Sequence, residues 1–160
     1  MDGCENLHTE LVTLICLATG ARWSEAENLT PNRLQGNVVT FARTKSGKVR
    51  SVPVPAELAD RLRVHWRTHG QFTSCITSFR RALERTTIQL PKGQASHALR
   101  HSFASHFMMN GGNILTLQKI LGHSTLAMTM RYAHLSPDHL AEAVRLGPLS
   151  DSALESAVFR

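Results

Sequence analysis

Apolar residues open the chain at helical spacing. Leu7, Leu11, Leu14, Ile15 and Ala18 share one face of a predicted helix that Gly20 is suited to end. Arg22 then lies just beyond a helix terminus. Ser24-Glu25-Ala26-Glu27 carries the Ser-x-x-Glu pattern of a capping box, so Ser24 or Thr19 is expected to cap a short second helix that closes at Pro31. From Arg33 to Pro53 the pattern changes to β. Val38, Val39, Thr40 and Phe41 precede a turn at Lys45-Ser46-Gly47-Lys48, and Val49, Val52 and Val54 follow it. These residues predict a small antiparallel sheet whose last turn carries Lys45.

Pro55 and Glu57 open a helix built on Leu58, Leu62 and Trp66, and Ile76, Phe79, Leu83 and Leu90 mark another before the loop Pro91-Lys92-Gly93. Leu99, Phe103 and Phe107 line the next. Gly111-Gly112-Asn113 interrupts it ahead of Ile114, Leu117, Ile120 and Leu121, and Gly122 stops that helix so as to present His123. Leu126, Met130 and Ala133 predict a helix around Tyr132, and Pro137 starts one containing Leu140 and Val144. Gly147-Pro148 sets off a last segment with Leu154 and Val158 four apart. The fold class predicted is mainly α with a small antiparallel β-sheet.

A length of 160 residues with 42% hydrophobic content is enough for one packed domain. Cys4, Cys16 and Cys75 are scattered and odd in number, which points to reduced thiols in a cytoplasmic setting. The longest apolar stretch, Leu11 to Ala21, includes Thr13, Thr19 and Gly20 and is too short to span a bilayer, so no membrane partner is expected. Lys+Arg 18 against Asp+Glu 12 gives a net charge of +6, and the pI of about 9.9 favours a polyanion.

Tyr132 is the only tyrosine. A phenol attacks poorly at neutral pH unless its proton is removed and charge on the electrophile is neutralised. Arginine suits the second task at a phosphate, because its planar and permanently charged fork can bind two oxygens. His97 and Arg100 are three apart and would share a helix face, with His101 within reach. A lone Arg or His is ordinarily a surface or packing residue, so it is the combination that carries weight. His97 and His101 have i,i+4 spacing, yet no HExxH glutamate or carboxylate cluster accompanies them, and no Walker-type Gly-rich loop is present. Neither a metal nor a cofactor is expected.

The order and spacing of Arg22, Lys45, His97-x-x-Arg100 and Leu121-Gly122-His123 through Tyr132 resemble the catalytic domain of tyrosine recombinases, the phage integrase family, most closely its P2-like phage and prophage members. The resemblance implies that Tyr132 attacks a DNA strand to form a 3′-phosphotyrosyl bond, with Arg22, Arg100, His97 and His123 stabilising the phosphorane. It gives His97 the tyrosine's proton and Lys45 the protonation of the leaving 5′ oxygen, Lys48 being the rival on the same turn. It leaves His101 structural and matches Glu25 to an acidic position that orients an arginine or a neighbouring histidine, capping of the short helix being an equally good account. Arg131, His134 and His106 lie near these motifs without a defined role and are assigned to DNA contacts or packing, packing being favoured for His106 between Phe103 and Phe107.

Further expectations follow from the resemblance. Residues 1–146 would be the catalytic domain and 147–160 a tail that docks in trans, folds back on its own domain or is disordered, with the N-terminal DNA-binding domains of such enzymes outside this chain. The partners would be double-stranded DNA at attachment sites, further copies in a tetrameric synapse, and accessory bending or directionality factors. Two other classes stand beside this one: a type IB topoisomerase-like nicking-closing enzyme, against which the Leu-Gly-His to Tyr spacing argues, and a noncatalytic DNA-binding module, which would not need a unique tyrosine.

Overall fold

The computed structural model describes residues 6–41, 49–91 and 93–137. Helix α1 (Leu7–Thr19) begins at Asn6, whose side-chain oxygen accepts the His8 N–H. It stops at Gly20, whose φ of 63° is left-handed and returns its N–H to the Cys16 carbonyl. The inner face runs through His8, Leu11, Val12, Ile15, Cys16 and Thr19. Leu7, placed in the apolar stripe by spacing, is instead 55% exposed.

Helix α2 (Trp23–Glu27) starts from Arg22, not from Ser24 or Thr19. Ser24 lies inside the helix and exposed. Thr19 is engaged at the end of α1, where its hydroxyl donates to the Ile15 carbonyl and accepts the Ala21 N–H. The cap comes from Glu25, whose carboxylate accepts the Arg22 N–H at 2.8 Å.

Strands β1 (Leu34–Gln35), β2 (Val38–Phe41) and β3 (Arg50–Pro53) form the predicted antiparallel sheet in the order β1-β2-β3. Phe41 pairs with Arg50 and Val39 with Val52, and the pleat buries all four on one face. The turn Lys45-Ser46-Gly47-Lys48, and with it Lys45, lies outside the described residues.

Helix α3 (Ala56–His69) follows Pro55 and buries Leu58, Leu62 and Trp66 as predicted. Helix α4 (Ile76–Glu84) ends before Leu90. The Thr86 hydroxyl donates to the Leu83 carbonyl and accepts the Ile88 N–H, a local alternative to further helix that turns the chain away. Helix α5 (Ala95–Met109) precedes the glycine break, and α6 (Ile114–Leu121) starts at Asn113, which caps the Leu115 and Thr116 amides.

The helix predicted around Tyr132 is only α7 (Ala127–Met130); Tyr132 stands at the turn between it and a 3-10 turn over Ala133–Leu135. Its apolar stripe points the other way: Leu126 and Met130 are 37% and 50% exposed, while Thr129 is buried. The predicted helix from Pro137 and the segment after Gly147-Pro148 fall outside the described residues.

Two hydrophobic cores form among the described residues. One joins α1, α2, the sheet and α3 around Val12, Ile15, Val39, Leu62 and Trp66. The other packs Ala104 and Met108 of α5 and Leu117 and Leu121 of α6 around the Tyr132 ring. Helix α1 packs along α5 and links them. Among the described residues no helix is long and apolar enough to cross a membrane.

Candidate active site

The last turn of a helix leaves carbonyl oxygens without partners, and a cation there is favourable. The ends of α1 and α6 converge on one such cation, Arg100. Its Nη1 donates to the Gly20 carbonyl and its Nη2 to the Leu121 carbonyl, each at 2.7 Å. A side chain at Gly20 would stand 2.6 Å from the Phe103 ring and 2.7 Å from Leu121, so a left-handed and bare residue is needed where the helices meet. Arg100 is 7% exposed. Burial, then the neighbouring Arg22 and Arg50, push its pKa down to about 10, which leaves it cationic at neutral pH. With two of its five donors engaged, the remainder are available to a ligand.

Arg22 reaches the same place from the start of α2. Its Nη1 lies 3.1 Å from Glu25, whose carboxylate also takes Arg50 through Nη1 at 3.2 Å and Nη2 at 2.6 Å. Burial alone would raise the Glu25 pKa, but the hydrogen bonds from Arg50 and the Arg22 amide, with the two positive charges, hold it below the ordinary carboxylate range. Arg50 is itself buried, its guanidinium 4.5 Å over the Phe41 ring and its side chain against Gly122. Through Glu25 it ties the first residue of β3 to the arginine at the start of α2, and its side chain packs by the end of α6.

Gly122, with a φ of 67°, closes α6 by directing its own amide to the Lys119 carbonyl and the His123 amide to the Gln118 carbonyl. That turn delivers His123. Its Nδ1 meets the Thr129 hydroxyl at 2.9 Å, which explains why α7 turns a threonine inward. Burial and the field of Arg100, Arg22, Arg131 and Arg50 push the His123 pKa down to about 4, so the ring is neutral at pH 7.

Tyr132 is 6% exposed, and its hydroxyl lies 2.6 Å from His101 Nδ1. Burial raises the phenol pKa, against the pull of Arg100 and Arg131. A cavity of about 200 Å³ opens on the hydroxyl's surroundings, lined by Arg22, His97, Arg100, His101, His123, Met128, Arg131 and Tyr132. Five of the six residues singled out in the sequence therefore line one cavity; the sixth, Lys45, lies outside the described residues.

Two readings change. His101, left structural by the sequence, lies one turn beyond His97 on α5 and is the residue whose ring meets the phenol. His106 is not packed between Phe103 and Phe107, because it faces outward at the rim of a separate hollow. Glu25 does both things foreseen for it, capping α2 and holding arginines. Arg50 escaped notice because it follows a lysine-rich turn and reads there as one more surface cation. The available signal was its parity with Val52, an inward residue of β3, and with the buried Val54 just beyond the strand. Among the described residues no three His, Cys, Asp or Glu side chains gather as a metal site.

The sequence pattern of the Phage integrase family matches residues 1–139. The chain belongs to that family. Among its relatives are the integrases of Escherichia phage 186, 56% identical over 88% of this chain and 41% of the relative, and of Escherichia phage P2, 46% identical over 86% and 41%. The chain thus spans less than half the length of these curated relatives. The solved catalytic domain of bacteriophage HP1 integrase is similar in fold, with a TM-score of 0.86 and 54% identity over 94% of this chain and 88% of that one. The family's mainly α catalytic-domain fold with its small sheet is thereby established for this chain.

Proposed function

We propose that this chain is the catalytic domain of a site-specific DNA recombinase that cuts and rejoins strands through a 3′-phosphotyrosyl intermediate. The observation that carries this reading is the cavity that the chain's one tyrosine lines together with three guanidinium groups and three imidazoles. Attack by the Tyr132 oxygen on a phosphodiester builds negative charge on the nonbridging oxygens. The free donors of Arg100, the Arg22 guanidinium and His97 would neutralise it. His123 would add a neutral hydrogen bond from Nε2, provided Thr129 donates to Nδ1. Lys45 is assigned the protonation of the leaving 5′ oxygen, worth on the order of 10²–10⁴-fold for a general acid.

The partner in this reading is double-stranded DNA at an attachment site, in keeping with the net charge of +6. Recombination adds a tetrameric synapse of protomers, accessory bending or directionality factors, and a bacterial cytoplasmic setting. Residues 1–146 form the catalytic unit in this proposal, with DNA-binding domains in a longer protein. The tail 147–160 docks on a neighbouring protomer, so its deletion from the longer protein should weaken multimer assembly on DNA and spare single-site binding. The function itself is tested with pooled duplexes nicked beside a randomised centre, from which a cut end diffuses away and traps the adduct. Wild type should form a covalent complex and Tyr132→Phe none; equal trapping by both would refute the assignment.

A further inference from the structure

Within the reading of Tyr132 as the nucleophile, its proton needs an acceptor. The resemblance gave that task to His97, yet the ring in contact with the phenol is His101, its Nδ1 2.6 Å from the hydroxyl oxygen. We propose that His101, rather than His97, takes the phenolic proton during strand cleavage and returns it during rejoining. A phenol is the donor in such a pair, so Nδ1 accepts and the ring carries its own proton on Nε2. The contact distance is that of a short O–H···N bond, so no rearrangement of the imidazole is needed before transfer.

The surroundings make this acceptor depend on substrate. Arg100 and His97 on α5 and Arg131 beside Tyr132 all face His101, and burial followed by Arg131, His97 and Arg100 lowers its pKa in the empty site. An imidazolium beside those two arginines is unfavourable. A phosphodiester brings the missing negative charge, and the phosphorane adds another, so proton acceptance becomes favourable as attack proceeds. The Tyr132 Oη–P bond forms and the P–O5′ bond breaks. The phenolic proton goes to His101 Nδ1, and the 5′ oxygen takes its proton from the general acid assigned to Lys45. In the reverse step the 5′-hydroxyl attacks phosphorus and the departing phenolate recovers its proton from His101. With DNA absent, the same bond keeps Tyr132 protonated.

The test is single-turnover cleavage of the nicked duplexes by the full chain from pH 6 to 10, comparing wild type with His101→Ala, His101→Asn and His97→Ala. Asn keeps an acceptor oxygen close to the Nδ1 position but is not a base. Both His101 variants should be slowed at pH 7 by roughly 10²-fold or more, the usual contribution of a general base. Their deficit should shrink as pH rises towards 10, because below its pKa the ionised fraction of a phenol grows about tenfold per pH unit, and added imidazole should partly rescue His101→Ala. His97→Ala should show a deficit that neither pH nor imidazole relieves. Cleavage by His101→Asn at the wild-type rate, or high-pH and imidazole rescue confined to His97→Ala, would overturn the proposal. Failure of wild type to form any Tyr132 adduct would instead overturn the functional reading on which it rests.

Discussion

Arg100→Lys keeps the charge and removes the fork, and so separates what the guanidinium does for the fold from what it does as a cation. Arg100 bonds two buried carbonyls on different helices, those of Gly20 and Leu121. A lysine ammonium at the end of a flexible stem cannot hold both in the same geometry. One buried acceptor is then unmet, and a hydrogen bond to a charged donor is lost, at a cost of about 2–3 kcal/mol. For a domain of this size each kcal/mol lowers the melting temperature by about 2–4 °C, so the fall should be roughly 4–12 °C. Urea unfolding followed by Trp fluorescence gives the free energy directly, since Trp23 and Trp66 are both buried. Adduct formation measured well below the lowered transition should still be impaired, because the ammonium cannot present several fixed donors to a phosphate. An unchanged unfolding midpoint would refute the claim that Arg100 joins the ends of α1 and α6.

Acid should destabilise the fold through its histidines. His8, His65, His101 and His123 all have lowered pKa values, with burial the largest cause in each, so the unfolded chain takes up protons near pH 6.5 that the folded chain refuses until lower pH, about 4 for His123. Stability therefore falls as pH drops from about 6.5 towards 4. Urea midpoints across that range should show a shallower slope in His123→Asn, and an identical slope would contradict the assignment. Arg50→Met should loosen both Arg22 and Glu25: the Glu25 pKa, followed by carboxyl NMR, is expected to rise, and a value unmoved by the substitution would mean that Arg50 does not govern it. Tyr132, as the only tyrosine, can be titrated by absorbance near 295 nm; its midpoint should lie above the ordinary phenol value of about 10, and a midpoint below it would be inconsistent with a buried hydroxyl bonded to neutral His101.

Element types were largely readable from spacing because most helices bury a regular apolar face, as α3 does with Leu58, Leu62 and Trp66. The misreadings occur where polar groups decide the structure. Helix α2 takes its start from Glu25 accepting a main-chain amide, and α7 turns Thr129 inward for the sake of His123, so neither follows apolar periodicity. In the site, Arg22, His97, Arg100, His123 and Tyr132 were recognisable by motif. The contacts of His101 and Arg50 were not, because each reaches across the fold, to Tyr132 31 residues away and to Glu25 25 residues away. No local pattern reports such a pairing.

The central claim is that the Tyr132 oxygen becomes bonded to DNA. Wild-type chain should be incubated with the pooled nicked duplexes in excess EDTA, digested with protease and nuclease, and its peptides sequenced by mass spectrometry. The account predicts a nucleotide adduct on the peptide containing Tyr132, at that residue alone and without added metal. An adduct on another side chain, or cleavage that leaves no adduct and requires magnesium, would contradict it.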